Sequence, residues 1–289
     1  MTAVLLLPSL PLMSSCRTGF YYDNAGKYTP GGTTLAADTV EAIDVEWFNG
    51  DVEISFNADS NAPISVSETA SRATDDTTSL HYWLDGTTLK IKFAASGKLN
   101  LGSVEKVLRV SVPRDKTLRH LSVNGGSANV VLKDPRSEKL TVSAISGNIS
   151  VSGMRVSDSA TISSTSGNIE GNAAIACDSL KIKSTAGSID FSTEARIRNL
   201  SVETTSGNVH LSNLNPAKKA RIDSVSGNVL LEFLDNSGFS LEYDTVNGKF
   251  STDLKMYTNG KAYVYGTPNS EFLVKTAAGN LTIKSVSTN

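Results

Sequence analysis

The sequence predicts an all-β fold: a parallel β-helix, or β-solenoid, with rungs of ~20 residues and a more irregular, partly antiparallel N-terminal section. Three observations lead there. First, Ser146-Gly147-Asn148-Ile149 returns as Ser166-Gly167-Asn168-Ile169, Ser206-Gly207-Asn208-Val209 and Ser226-Gly227-Asn228-Val229, with the near-copy Ala186-Gly187-Ser188-Ile189 between; the motif glycines are each 20 residues apart. Second, apolar residues keep fixed columns around that glycine. Val142, Ile162, Ile182, Val202 and Ile222 precede it by five, and Ile149, Ile169, Ile189, Val209 and Val229 follow it by two. Each unit reads apolar-x-apolar, turn, apolar-x-apolar, so two short strands each turn one face inward. Third, Ser, Thr and Asn are abundant, Phe, Trp and Tyr make up only 7% of the chain, and Val and Ile fall in short alternating runs, which argues for β-structure rather than disorder.

Taken in chain order, residues 1–16 read as an export segment. The apolar run Ala3 to Met13 is broken by Pro8 and Pro11 and ends in Ser14-Ser15-Cys16. That ending resembles a relaxed bacterial lipobox, in which Cys16 becomes the lipidated first residue of the mature protein. No Lys or Arg precedes the run, which leaves a start upstream of Met1 open; a plain signal peptide or a buried N-terminal strand are the alternatives. Residues 17–37, with Pro30-Gly31-Gly32, are expected to be a tether. Residues 38–289 are expected to form a single solenoid domain, irregular over 38–117 and regular over 118–289.

Within the irregular part, Ile43, Val45, Gly50, Val52 and Ile54 already fit the rung columns. Leu80 to Phe93 reads as a hairpin turning at Asp85-Gly86, and Val107 to Val112 as a strand stopped at Pro113, together a cap. The register resumes at Leu121 and Val123, runs through the clean copies, and continues with Leu241, Tyr243, Gly248 and Phe250, then Phe272, Val274, Gly279, Leu281 and Ile283. Residues 253–270, with Tyr257, Tyr263 and Tyr265, break the period and are expected to cap the C-terminal end, with sugar or protein contact as the other reading. Identical units that pair with their own copies must run parallel, giving seven or eight rungs and a rod on the order of 35–40 Å.

The repeated motif reads as scaffold rather than ligand site. Gly147, Gly167, Gly187, Gly207 and Gly227 are expected to supply a positive φ at the corner. Asn148, Asn168, Asn208 and Asn228, with Asn129 and Asn280, share a column suited to a side-chain amide ladder. Cys177, the one cysteine besides Cys16, reads as a small buried hydrophobe, and no Cys/His spacing suggests zinc.

Little in the chain points to chemistry. Net charge is −2, and no basic stripe tracks a phosphate backbone, so nucleic acid is not an expected partner. Lys218-Lys219-Ala220-Arg221 reads as a solvated turn. No nucleophile elbow, phosphate loop or zinc-protease motif occurs. The stacking aligns Glu170, Asp190 and His210 in one outward column, a candidate acid–base or cation site, but on an exposed face that offers no desolvation. A second column, Lys183, Glu203 and Asp223, reads as cross-strand charge pairing. No catalytic, metal or cofactor residues are assigned.

Several stretches resemble the DUF4097 family, labelled as adhesins and related to head-domain adhesins with a GIN motif. Ile43-Asp44-Val45-Glu46-Trp47-Phe48-Asn49-Gly50-Asp51-Val52 is similar to its opening strand pair, and Leu108 to Pro113 to its entry into the coils. Phe239 to Gly248 and Val274 to Leu281 are similar to its closing repeats. Coverage is nearly the whole of 40–289. The resemblance implies a β-helix-like solenoid on a cell-envelope protein without catalytic residues. The function expected is a non-enzymatic, lipid-anchored surface scaffold that binds an unknown glycan or protein, touches the membrane only through its anchor, and needs no cofactor. An accessory role in envelope-stress sensing and a carbohydrate-active β-helix enzyme are the alternatives.

Overall fold

The computed structural model describes residues 20–98, 104–193, 195–234 and 238–286. Cys16 and the rest of the export segment lie outside the described residues. Within them the chain forms 25 strands and two three-residue 3-10 turns, Ala25–Lys27 and Ala37–Thr39.

In the regular part each coil gives one strand to each of two parallel sheets. Ser179–Ser184 pairs in register with residues 159–164 on one side and Asn199–Thr204 on the other. After the Ala186-Gly187-Ser188 corner, Ile189–Ser192 pairs with Ile169–Ala173 and Val209–Leu214. Ile149–Ser164 is one long strand that serves the second sheet with its first half and the first sheet with its second half. The alternation seen in the sequence becomes inward columns: Ile162, Ile182, Val202 and Ile222 lie buried in register, as do Ile169, Ile189, Val209 and Val229. Each such side chain contributes roughly 1.5–3 kcal/mol when fully buried, but only once the coils above and below close over it.

The order of coils along the axis differs from their order in the chain at both ends. Thr88–Lys92 and Lys106–Pro113 form a coil that stacks on Ala42–Trp47 and Gly50–Ala58. That earlier coil in turn stacks on Leu118–Gly125 and Asn129–Lys133. Residues 42–58 are therefore sandwiched between two coils that follow them in sequence. At the other end Glu271–Thr276 and Leu281–Val286, last in the chain, slot between the coil of Lys219–Ser224 and Val229–Leu234 and the coil of Phe239–Thr245 and Phe250–Thr252. The period alone puts residues 239–252 on the coil that ends at residue 234; in the structure residues 271–286 take that place. Counted in space, the parallel coils start at residues 88, 42, 118, 136, 159, 179, 199, 219, 271 and 239, ten rather than seven or eight. At ~4.8 Å per step the stack is about 43 Å long.

Antiparallel strands close both sheets at the N-terminal end and the first sheet at the far end, where an open edge of a parallel sheet would otherwise invite pairing with another chain. His81–Asp85 lies antiparallel on Thr88–Lys92, and Ile64–Ala70 on Lys106–Pro113. At the far end Ala262–Tyr265 lies antiparallel on Phe239–Thr245, followed by Tyr257–Asn259. Its Tyr263 ring packs 4.8 Å from Phe250, so the period-breaking insertion folds over the last coil. The segment expected to be a free tether is instead packed from Phe20 onward. The Phe20 amide donates to the Lys98 carbonyl at 3.1 Å and the Tyr22 hydroxyl to the Ala94 carbonyl at 3.1 Å. Thr29–Pro30 and Thr33–Leu35 add antiparallel strands to the cap, and Tyr22, Tyr28 and Trp83 meet edge to face. The aromatic side chains, read from the sequence as loop, supply the apolar area that holds this segment down.

Candidate ligand-presenting surface

The corner between the two sheets is built from three columns. The motif glycines do not use a positive φ; the positive-φ glycines among the described residues are elsewhere, such as Gly50 at 87° and Gly86 at 61°. Glycine is required at the corner for a different reason, close approach of the backbones. A Cβ on Gly187 would fall on the Gly167 carbonyl, and the same holds for Gly167 over Gly147, Gly207 over Gly187 and Gly227 over Gly207. Gly279 meets Gly227 and Gly248 meets Gly279, so the column follows the spatial order of the coils. Gly147 sits over Ala128, whose own neighbouring coil turns differently through Gly50.

The asparagine column bonds along the axis, though not amide to amide. Each side-chain oxygen accepts from the backbone N–H of the same column one coil on. Asn129 accepts from Asn148 at 3.0 Å, Asn148 from Asn168 at 2.9 Å, Asn168 from Ser188 at 2.9 Å and Asn208 from Asn228 at 3.0 Å. Asn228 then accepts from Asn280 and Asn280 from Lys249, again tracing the spatial order. Main-chain donors at a corner cannot reach the sheet ladder, so a side-chain acceptor satisfies them. A third column escaped the sequence reading. Ser164, Thr204, Ser224, Thr245 and Thr276 stand three residues before the glycine. Their hydroxyls accept the glycine N–H (Ser164, Thr204, Thr245) or donate to the glycine carbonyl (Thr204, Ser224, Thr276). The signal was present as a Ser/Thr at a fixed offset. Gly147, Asn148 and their equivalents thus tie coil to coil at the corner, the glycines by close backbone approach and the asparagines through their side-chain oxygens.

What remains for a ligand is the outside. Glu170, Asp190 and His210 do stand side by side on adjacent coils. His210 reaches Asp190 at 3.4 Å through Nδ1 and Glu232 at 3.0 Å through Nε2. Glu232 was not anticipated, because it belongs two positions along the next coil, beyond Leu230. Partial burial opposes charging of the imidazole, but the hydrogen bond to Glu232 and the charge of Asp190 outweigh it, and the pKa is raised. The site lies on an open sheet face, and no group of three or more metal-ligating side chains is assembled among the described residues. In the second column Glu203 is gripped by Lys181 at 2.8 Å and Lys183 at 3.2 Å. Burial pushes its carboxyl pKa up, the two ammonium groups pull it down, and the net shift is downward. Asp223 is taken by Arg221 at 2.6 Å. The Lys181 and Lys183 pairs with Glu203 cross coils, as expected of this column, whereas Asp223 faces Glu203 in register and is neutralised instead by Arg221 on its own strand.

Two shallow depressions open on this exterior. One, of about 290 Å³, lies over the N-terminal coils of the second sheet, among Ser55, Ser65, Ser67 and Ser111, beside the Glu53–Arg109 ion pair of 3.1 Å. The other, of about 580 Å³, lies on the wide corner opposite the glycine column, over Ala176 and Cys177, beside Arg196, Arg198 and Lys218. Cys177 is buried, and burial, with help from Asp178, pushes its thiol pKa up to about 11, so it is a packing residue rather than a nucleophile.

A family model described as Toastrack DUF4097 matches residues 40–286. No curated protein matches the chain. Among solved structures, the chain is similar to a "putative adhesin" from Bacteroides fragilis NCTC 9343, at 13% identity and a TM-score of 0.48 over 90% of this chain and 97% of the other. It is also similar to a "putative lipid binding protein" from Parabacteroides distasonis ATCC 8503, at 15% identity and a TM-score of 0.47 over the same shares. A "putative cell adhesion protein" from Clostridium sporogenes ATCC 15579 aligns at 12% identity and a TM-score of 0.30, over 90% of this chain and all of the other. Likenesses this distant carry no ligand across.

Proposed function

The chain belongs to the Toastrack DUF4097 family, and on that footing we propose that it is a non-catalytic binding scaffold of the cell envelope, exported, carried on a lipid at Cys16, and presenting its outer sheet faces to a glycan or protein. The observation that carries the reading is the division of labour in each coil. Glycine, asparagine and hydroxyl columns hold the corner together, while outward side chains repeat at the coil spacing on open faces. Such a surface suits a repetitive ligand held by many weak contacts. It does not suit catalysis, which needs a desolvated cleft to tune its acids and bases.

The packing of Phe20 gives the anchor a consequence. Four peptide steps separate Cys16 from Phe20, at most about 14 Å of extended chain. A lipid on Cys16 would hold the N-terminal cap close to the bilayer, with the ten coils beyond it. Cys16→Ser is expected to move the protein from the membrane fraction to the soluble fraction. The full-length protein is expected to bind members of a glycan and host-protein array. Absence of binding across the array, together with turnover of a polysaccharide that Glu170→Ala or Asp190→Ala abolishes, would replace this reading with an enzymatic one.

A further inference from the structure

We propose that the wide corner opposite the glycine column is a binding ridge for a linear acidic polysaccharide, gripped through its carboxylate or sulfate groups; this deepens the scaffold reading and rests on it. The ridge is assembled from residues distant in sequence. Arg136 and Arg155 are direct partners on adjacent parallel strands, one coil step apart. Like charges in that relation repel unless something lies between or beside them. Other cations on the sheets are matched by carboxylates: Arg119 by Glu41 at 2.8 Å, Arg109 by Glu53, Lys181 and Lys183 by Glu203. Arg136 and Arg155 form no ion pair among the described residues, and the Nε of each is buried without a hydrogen-bond partner there. Two half-buried, unmatched guanidinium forks in register are suited to straddle one planar or tetrahedral oxyanion.

The same corner continues along the axis. On the next coil Ala174 stacks on Arg155, its amide bonding the Met154 carbonyl, and two to four residues further along the corner come Ala176, then Arg196 with Arg198, then Lys218; the Arg198 amide bonds the Cys177 carbonyl and the Lys218 amide the Ile197 carbonyl, which stacks Lys218 on Arg198. The 580 Å³ groove lies over Ala176 and Cys177, beginning two residues along the corner from Arg155, walled by Ser157 on one side and by Arg196, Arg198 and Lys218 on the other. From Arg136 to Lys218 the ridge spans four coil steps, about 19 Å. A sugar unit of an extended glycan is comparable in length to one coil step, so successive acidic groups can meet successive coils while a ring rests over Ala176.

The shape of the charge favours a glycan over other polyanions. The ridge also carries Asp158, 3.8 Å from Lys139, and Asp178, 3.3 Å from Arg198. These carboxylates break the continuous positive field that a phosphate backbone or an anionic bilayer rewards. Spaced acidic groups separated by hydroxyls tolerate the interruption, and Ser157 and Asp178 offer the hydroxyls partners.

The test is a binding titration of the full-length protein against polygalacturonate (carboxylate), heparin (sulfate), neutral dextran, phosphatidylglycerol vesicles and duplex DNA. Polygalacturonate or heparin is expected to bind, with affinity lowered tenfold or more in R136Q/R155Q and also lowered in R196Q/K218Q. Arg119→Gln, which removes an already matched arginine, is expected to leave it unchanged. Thermal melting checks that each variant is folded, and the second pair keeps the test decisive if the first does not fold. The inference is overturned if neither acidic polysaccharide binds, if both double variants bind as the wild type does, or if vesicles or DNA bind more tightly. Binding of dextran or of array proteins alone would overturn it while leaving the scaffold reading in place. An empty array would remove both.

Discussion

The regular coils from residue 136 to residue 234 and the capped N-terminal end are stabilised in opposite ways. In the regular coils each stabilising contact is one copy of a column: a buried Ile or Val, a corner glycine, an asparagine bonded to the next coil. At the N-terminal end the central contact occurs once. Lys106 is fully buried, with its ammonium 2.7 Å from Glu68, donating to the Thr78 carbonyl at 2.8 Å and to the Phe93 carbonyl, and lying 4.2 Å from the Phe93 ring centroid and 5.1 Å from that of Trp47. Burial pulls its pKa below the ordinary lysine value and Glu68 opposes the shift. A repeat shares its strain among neighbours, whereas a cap concentrates specificity in one arrangement that must be complete.

The largest effect is therefore expected at the cap. Glu68→Ala leaves the Lys106 ammonium buried without its counter-charge and strips the Leu80 amide of its 2.8 Å acceptor. A loss of about 3–5 kcal/mol is expected, read from urea unfolding. The double variant Glu68→Leu/Lys106→Met is expected to recover most of it, since the cost lies in the orphaned charge rather than in the missing pair. A double variant as unstable as the single one would show that the cap needs the ion pair itself, and the contrast with the repeat would sharpen.

A smaller but clear effect is expected in the middle. In Gly187→Ala the new methyl meets the Gly167 carbonyl, backbone against backbone, where no rotamer can relieve it. Forcing the coils apart is expected to cost about 1–3 kcal/mol. Gly86→Ala, in the hairpin turn with open space around it, is expected to cost less despite its φ of 61°. If calorimetry ranked the two the other way, dihedral strain rather than coil spacing would be what the glycine relieves.

The same contrast explains what was legible in the sequence. A column is visible because each residue is repeated at a fixed step, so Ile162, Ile182 and Val202 announce both their strand and their inward face. Lys106 and Glu68 are 38 positions apart, occur once, and lie on strands whose antiparallel pairing no periodicity marks. The swapped order of the terminal coils is hidden for a related reason. Residues 239–252 and 271–286 carry equally good rung patterns, and either could stack on Val229–Leu234; the choice depends on which one the 253–270 hairpin can then cover. The corner glycine was found but given the wrong cause, since a motif shows that a side chain is forbidden without showing what forbids it. Of the candidate surface, the Glu170–Asp190–His210 column could be read by period, while the arginine ridge could not, because Arg136, Arg155 and Arg196 fall at the irregular side of the coil where the step is not constant.

The smallest effect is expected at His210, the place where the regular middle comes nearest to a one-off contact. Its ring bridges Asp190 and Glu232 across adjacent coils, and those carboxylates hold its pKa above the ordinary imidazole value despite partial burial. Folding thus favours the protonated ring. The stabilisation is fully present below the ordinary histidine value and is lost as pH rises through the raised folded value. Thermal melts from pH 5 to pH 8 are expected to show a slight fall across that window in the wild type and none of it in His210→Gln. Solvent screens a site this exposed, so the step is expected to be far smaller than the Glu68→Ala loss. A step of comparable size would mean that charge, and not the stacked columns, ties these coils together.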